Sequence, residues 1–116
     1  QMAYYSGFVA AVPSANKEAY IADAKGAWPY FKKQGARRMV ECWGEDVPDG
    51  KLTDFRKSVA LEDGETVAVG WITWPDKASR DAAWEKLVSD ERMSIMDMPF
   101  DGKRMIFGGF EVLLED

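Results

Sequence analysis

Histidine is absent from the 116 residues, and cysteine occurs once, at Cys42. The lack of imidazole excludes Ser/His/Asp and Cys/His catalytic relays, zinc sites built on histidine, and haem held by a proximal histidine. Any catalysis must therefore use carboxylates, Arg, Lys, Tyr, Cys42 or a bound cofactor. A lone cysteine within a predicted strand is usually a small buried hydrophobe. We accordingly predict no metal site and no cysteine nucleophile.

Disulfides, long apolar runs and an excess of basic residues are also missing. A single cysteine cannot form an intramolecular disulfide, which favours a reducing compartment, and we expect a cytoplasmic protein. No stretch approaches the roughly 20 apolar residues of a membrane-spanning helix, so we expect no membrane partner. With 15 basic and 20 acidic residues the net charge is −5, which opposes binding of a phosphate backbone and disfavours nucleic acid as a partner.

Length and composition predict one domain over residues 2–116. Hydrophobic residues make up 47% of the chain and charged residues 30%, as in ordinary globular proteins, and the chain is long enough to bury a core without metals or disulfides. No motif indicates a cofactor. The pair Gly108-Gly109 lies within a predicted strand that does not open into a helix, unlike a phosphate-binding loop.

Patterns of apolar and turn residues predict five strands and two helices. The strands are predicted over residues 4–12, 36–43, 55–61, 66–74 and 104–114. The first helix begins at an N-cap, Ser14, bends at Pro29 and ends at Gly35. The second helix runs from the N-cap Asp76 to Ser89. A short helical turn over 90–98 is a further option. One apolar stripe follows the first helix: Tyr20, Ala24, Ala27 and Phe31. The dipeptide Asp63-Gly64 predicts a hairpin between residues 55–61 and 66–74.

The resulting core order, β-α-β-β-α-β with one additional short strand, predicts an α+β, ferredoxin-like antiparallel sheet with both helices on one face. The strand over 66–74 has two alternating apolar sets: Val67, Val69 and Trp71 against Ala68, Ile72 and Trp74. The last strand repeats this, with Ile106, Phe110 and Val112 against Met105, Phe107 and Leu113. Because a strand with one face in water should alternate polar and apolar residues, a second molecule or a ligand must cover the other face, and dimerisation is the simplest solution. We predict a homodimer that pairs two sheets.

Six motifs carry a resemblance to a known family. They are GFVAAVP at 7–13, VECW at 40–43, DVPDGK at 46–51, TDFR at 53–56, MPFDGKRMI at 98–106 and GGF at 108–110. They span nearly the whole chain, which resembles the YbaA-like bacterial proteins classed as a domain of unknown function (number 1428). The resemblance implies a dimeric α/β barrel, in which two ferredoxin-like units pack sheet against sheet, and it implies no established activity.

Two polar segments are candidate binding sites. The first surrounds the long loop 44–54 and combines carboxylates, an indole and a guanidinium: Glu41, Trp43, Glu45, Asp46, Asp49, Asp54 and Arg56. Arg56 would pair with an anion while a carboxylate acts as a base, although a solvated loop with ion pairs explains the same residues. The second segment, 98–104, offers Phe100, Asp101, Lys103 and Arg104. Its cations would hold an anion or simply face water beside an Asp-Gly turn.

The five tryptophans allow an aromatic pocket, but they are equally suited to the core or to an interface between subunits. The candidate ligand-binding residues are therefore Trp43, Asp46, Arg56, Trp71, Phe100, Asp101 and Arg104.

Two functions remain open. The first is a homodimeric binding module for a small molecule or a protein, without catalysis. The second is a cofactor-independent monooxygenase or isomerase acting on a small aromatic substrate. Burial of Asp46 or Asp101 beside an arginine in a concave site would favour the enzyme, because catalysis needs a perturbed polar group within reach of the substrate. A filled core would exclude both pocket hypotheses.

Overall fold

The computed structural model describes residues 3–89 and 98–116, which form a four-stranded antiparallel sheet and three α-helices. The elements are β1 (Tyr4–Pro13), a 3-10 turn (Ser14–Asn16), α1 (Lys17–Lys33), β2 (Arg38–Trp43), α2 (Phe55–Ser58), β3 (Glu65–Trp74), α3 (Lys77–Ser89) and β4 (Ile106–Glu111). The strand order is β2-β3-β1-β4, and every neighbouring pair is antiparallel. The predicted α+β, ferredoxin-like arrangement is confirmed.

The ends of the two long helices follow from local hydrogen bonds. At the end of α1, Gly35 has φ +111°, and the amide of Ala36 donates to the Phe31 carbonyl at 3.0 Å, so the chain turns where the glycine was predicted to stop the helix. Asp76 caps α3 as predicted, because its Oδ1 accepts from the Ser79 amide at 2.8 Å. The helix α1 continues through Pro29 as one element.

The predicted cap at Ser14 is wrong. Ser14 begins the 3-10 turn, and its hydroxyl shares a 2.7 Å hydrogen bond with the hydroxyl of Thr66 in place of capping α1. The residue before α1 is Asn16, whose side chain makes no capping hydrogen bond. The hydroxyl of Ser14 therefore links β1 to β3.

The predicted strand over 55–61 is also wrong, because residues Phe55–Ser58 form α2. Asp54 caps this turn by accepting from the Lys57 amide at 2.6 Å, and a hydrogen bond to an N-terminal amide favours helix over strand. The Asp63-Gly64 turn itself is present: Gly64 has φ +81°, and the Glu65 amide donates to the Glu62 carbonyl at 3.1 Å. It therefore joins α2 to β3 and is not a hairpin.

The core lies on both sides of the sheet. Tyr20 of α1 packs on Ala10, Val12 and Ala68, and Ala83 of α3 packs with Ile72 and Trp74 on the same face. On the opposite face, Val59 after α2 covers Ala11 and Val67 at one end of the sheet. Of the helical turn predicted over 90–98, residues 90–97 lie outside the described residues.

Candidate functional site

The pairing register assigns each strand residue to one of two faces. Because side chains alternate along a strand, the face under α1 and α3 carries Tyr4, Ser6, Phe8, Met39, Glu41, Gly70, Ile72, Trp74 and Phe107. We call this the helix face. The opposite face, which we call the open face, carries Tyr5, Gly7, Val9, Val40, Cys42, Val69, Trp71, Ile106, Gly108 and Phe110.

A cavity of about 610 Å³ lies between the helix face and the two long helices. Its wall is mostly apolar, and the polar side chains in its described lining are Ser6, Tyr20, Asp23, Glu41 and Arg80. Small residues leave this space open, since Ala24 and Ala27 of α1 and Ala83 of α3 face the sheet here. The volume is that of a typical small-molecule pocket.

The main polar feature of the wall is the pair formed by Tyr20 and Glu41. The Tyr20 hydroxyl, carried on α1, donates to Glu41 Oε1 on β2 at 2.7 Å. Tyr20 is only 6% exposed. Burial raises the pKa of the Tyr20 hydroxyl far above its usual range, and the hydrogen bond to Glu41 adds to that rise. The neutral phenol is therefore a fixed donor to the carboxyl group.

Glu41 and Asp23 both keep their protons more strongly than free carboxyl groups do. Burial raises the pKa of Glu41, and this outweighs the opposite effect of the hydrogen bond from Tyr20. The negative charge of Asp23 raises it further. Burial likewise raises the pKa of Asp23. The cavity therefore has two desolvated carboxyl groups on its wall.

Two of the predicted site residues come together around Tyr20. The ring of Trp43 lies 6.1 Å from the Tyr20 ring, and that of Phe100 lies 5.8 Å from it on another side. Lys17 Nζ lies 5.8 Å from the centre of the Trp43 ring. Phe100 and Tyr20 also line the cavity, so this aromatic group forms part of its wall.

Arg80 from α3 also lines the cavity. Its Nη2 donates to the Tyr4 hydroxyl at 3.2 Å, and its Nε lies 3.0 Å from Asp81 Oδ1. A Cβ at Gly109 would lie 2.5 Å from both Arg80 Nη2 and the Tyr4 hydroxyl, so only glycine leaves room for them. The guanidinium of Arg80 is thus already engaged within the protein.

Arg104 and Asp101 belong to a network outside the cavity. Arg104 Nη1 and Nη2 donate to the two carboxylate oxygens of Glu65 at 2.8 and 2.7 Å, and Nε donates to Asp101 at 3.2 Å. Nη1 also donates to the Ala60 carbonyl at 3.0 Å. Arg104 therefore ties together the chain before β4, the end of the α2 segment and the start of β3.

Asp46 lies at the surface of the long loop, and Arg56 lies just after it in α2. Asp46 is exposed, and Arg56, with 48% of its side chain exposed, pairs with Asp49 at 3.2 Å. Neither residue lines the cavity. Burial of Asp46 or Asp101 beside an arginine in a concave site would favour an enzyme. The structure does not show this arrangement at either residue.

Trp71 lies on the open face, in a shallow apolar groove of about 570 Å³. Neighbouring groove residues include Tyr5, Val9, Val69, Ile106 and Phe110. Ile106 is 45% exposed and Phe110 58% exposed. The structure thus separates the predicted aromatic residues between two faces of the sheet.

The sequence did not predict the pairing of Tyr20 with Glu41. Tyr20 was assigned to the core stripe of the first helix, and Glu41 to the carboxylates near the long loop. A signal was nevertheless present, because Glu41 occupies an inward position of β2 between Met39 and Trp43. A carboxylate between two inward apolar side chains indicates a buried polar site.

In the described part of the chain, no group of three or more Cys, Asp or Glu side chains is arranged to hold a metal ion. No helix among the described residues is long and apolar enough to cross a membrane.

Comparison with known proteins identifies relatives along the whole chain. Residues 3–102 match the profile of a family described as "Protein of unknown function (DUF1428)". The chain is 54% identical to the "Uncharacterized protein YbaA" of Escherichia coli K12 over 117 residues, which cover 99% of this chain and all of that protein, and the same figures hold for the Shigella flexneri protein of that name. The resemblance seen in the sequence is confirmed.

A solved structure shows the same fold. It is described as a dimeric ferredoxin-like protein from an uncultured marine organism, and it matches with a TM-score of 0.63 at 12% identity, covering all of both chains.

Proposed function

We infer that this chain, which belongs to the DUF1428 family of proteins of unknown function, is a homodimeric cytoplasmic protein that binds small, mainly apolar molecules. The observation that carries the proposal is the cavity of about 610 Å³ between the helices and the sheet, with its apolar wall and few polar groups. Ligand pockets typically have this size and this composition. The single cysteine supports the cytoplasmic location.

The open face supports a second copy of the chain as the partner. The α2 segment covers one end of this face, and an apolar groove that includes Trp71, Ile106 and Phe110 remains in solvent. An apolar patch of this kind on a soluble protein is normally buried by another molecule, and a two-fold axis would bring two identical sheets together. The fold neighbour described as dimeric agrees with this arrangement.

The oligomeric state can be tested with a pair of variants on one strand. Phe107 and Phe110 are both on β4, are 61% and 58% exposed, and point to opposite faces. Light scattering after size-exclusion chromatography should give the mass of two chains for the wild type and for Phe107→Glu, and the mass of one chain for Phe110→Glu. Circular dichroism checks that both variants fold. A wild-type monomer at every concentration would exclude the dimer.

Binding in the cavity can be tested with Nile red, a neutral dye that emits more strongly in apolar surroundings. Ala27 of α1 lines the cavity, whereas Ala22 of the same helix is exposed and does not. We expect dye binding by the wild type and by Ala22→Phe, and its loss in Ala27→Phe, whose added ring fills the space. Equal binding by all three proteins would place the dye elsewhere, and absence of wild-type binding would contradict the proposal.

One observation favours the alternative, an isomerase-like or cofactor-independent oxygenase activity on an aromatic substrate. Burial raises the pKa of Glu41 at the cavity wall, and carboxylates tuned in this way act as general bases. Chemical change of a bound aromatic compound, followed by mass spectrometry and abolished in Glu41→Gln, would support this alternative over reversible binding.

A further inference from the structure

The Tyr20–Glu41 pair places a carboxyl group on the wall of a mostly apolar cavity, and no cation among the described residues pairs with it. Glu41 Oε1 accepts the hydrogen bond from Tyr20, which is buried and held by Trp43 and Phe100. Within residues 3–89 and 98–116, Glu41 forms no ion pair, and no hydrogen bond reaches its second oxygen. The carboxyl group is therefore fixed in position and retains capacity to accept another donor.

The charged side chains in the described part of the cavity wall do not neutralise this carboxyl group. Asp23 lies three residues after Tyr20 on α1, lines the same cavity and is itself negative when ionised. Arg80 lines the cavity too, but its Nε pairs with Asp81 and its Nη2 donates to Tyr4. The described lining thus has a negative region at Glu41 and Asp23, while two nitrogen atoms of its guanidinium already pair with Asp81 and Tyr4.

An ionised carboxylate that is partly withdrawn from water is costly unless a cation or strong donors accompany it. The raised pKa values of Glu41 and Asp23 agree with this cost. A ligand carrying a positive charge would supply the missing partner, and the surrounding aromatic rings also favour a cation. The remaining apolar wall suits a hydrocarbon or aromatic body.

We propose that the cavity selects aromatic or aliphatic amines, with the ammonium group bound at Glu41 and Asp23 and the apolar body packed between the helices and the sheet. This inference rests on the proposed binding function and specifies its ligand class. A neutral molecule of the same shape lacks the positive charge that Glu41 can pair with. The carboxylate of an acid would be repelled by the negative charge of Glu41.

The test compares three probes with one ring and different polar ends: 2-phenylethylamine, 2-phenylethanol and 3-phenylpropionate. Each is titrated against the wild-type protein with Nile red bound, and displacement is measured at neutral pH. We expect the amine to displace the dye at a concentration at least about tenfold lower than the alcohol, and the acid to be the weakest, since an ion pair with a desolvated carboxylate contributes on this scale.

Two variants separate the role of Glu41 from that of overall charge. Glu41→Gln keeps an acceptor for Tyr20 but removes the negative charge, so the advantage of the amine over the alcohol should fall to less than about threefold. Glu45→Gln removes the same charge from an exposed position in the loop, so the wild-type preference should remain.

An alcohol that competes as well as the amine, or an acid that competes better, would overturn the inference. So would Nile red binding that none of the three probes displaces, and in that case the proposed binding function would stand. Failure of the wild type to bind Nile red would instead contradict the proposed binding function, and the inference that rests on it would fail as well. A preference for the amine that persists in Glu41→Gln would also overturn the assignment to Glu41.

Discussion

At the scale of single residues, Gly70 shapes the wall of the cavity. It lies opposite Phe8 of β1 and Glu41 of β2, and a Cβ added there would be 2.5 Å from Phe8 Cζ and 2.7 Å from Glu41 Oε1. Real Cβ atoms do not come this close to other atoms, so either the phenyl ring or the carboxyl group would have to move. The absence of a side chain at residue 70 therefore allows Glu41 to meet Tyr20.

We predict that Gly70→Ala lowers the free energy of unfolding by about 1–3 kcal/mol, the usual cost of overpacking, and weakens ligand binding in the cavity. Urea denaturation measures the first effect and Nile red titration the second.

Gly26→Ala is the matched control. No atom lies within 4 Å of the position of its added Cβ, and Gly26 is an exposed residue within α1. Alanine should therefore stabilise the helix by about 0.5–1 kcal/mol. Equal effects of the two substitutions would contradict the close packing assigned to Gly70.

At the scale of elements, most of the fold could be predicted because its long segments have clear periodicity. The alternation of β3 and the alanine-rich stripe of α1 were each visible in sequence, and both elements are present. Residues 55–61 could not be assigned by composition, since Phe55 and Val59 are strand-forming residue types. The deciding interaction was the cap from Asp54 to the Lys57 amide, which overrides that preference over a single turn.

The candidate site was less predictable, because it depends on which residues face each other across elements. Trp43 and Phe100 were selected for their chemistry, and they do meet at Tyr20. Asp46 and Arg56 were selected for the same reason, but Asp46 lies in the exposed loop and Arg56 in the short helix α2, where it pairs with Asp49 at the surface. A sequence shows residue types and spacing within an element, but the packing of α1 against β2 decides that Tyr20 contacts Glu41.

Arg104 connects three elements, and this predicts a difference between two Arg→Lys substitutions. Arg104→Lys keeps the charge but loses the two parallel hydrogen bonds to Glu65, so the unfolding temperature should fall. Arg56→Lys, at an exposed pair with Asp49, should leave it nearly unchanged. Thermal unfolding followed by circular dichroism compares the two, and a larger effect at Arg56 would contradict the network.

The Arg104 network also has a defined dependence on pH. The hydrogen bond from Arg104 lowers the pKa of Glu65 below its ordinary value. The pair of Glu65 with Arg104 therefore stabilises the folded state at pH values above the ordinary pKa of a glutamate. This stabilisation is lost as the pH falls through the lowered pKa of Glu65 in the folded state. The difference in unfolding temperature between the wild type and Arg104→Lys should accordingly shrink in strong acid.

At the scale of the whole molecule, pairing of two open faces would make stability depend on protein concentration. Because dissociation accompanies unfolding of a dimer, the unfolding temperature of the wild type should rise by about 3–6 °C for each tenfold increase in concentration. Scanning calorimetry over a dilution series measures this. Phe110→Glu should lose the dependence and Phe107→Glu should keep it, and a wild-type transition that does not move with concentration would contradict the dimer.

The strand order has a consequence for how the chain assembles over time. β1 is a central strand whose two neighbours are distant in sequence, and Tyr4 pairs with Glu111, which is 107 positions away. Closing so long a loop carries an entropic cost before the contacts form, and folds rich in such distant contacts fold slowly. During synthesis, one edge of β1 therefore stays unpaired until the ribosome has released β4. Completion of the sheet is thus a late step of folding, and a nascent chain with apolar residues on both faces of β3 is most exposed to aggregation before it occurs.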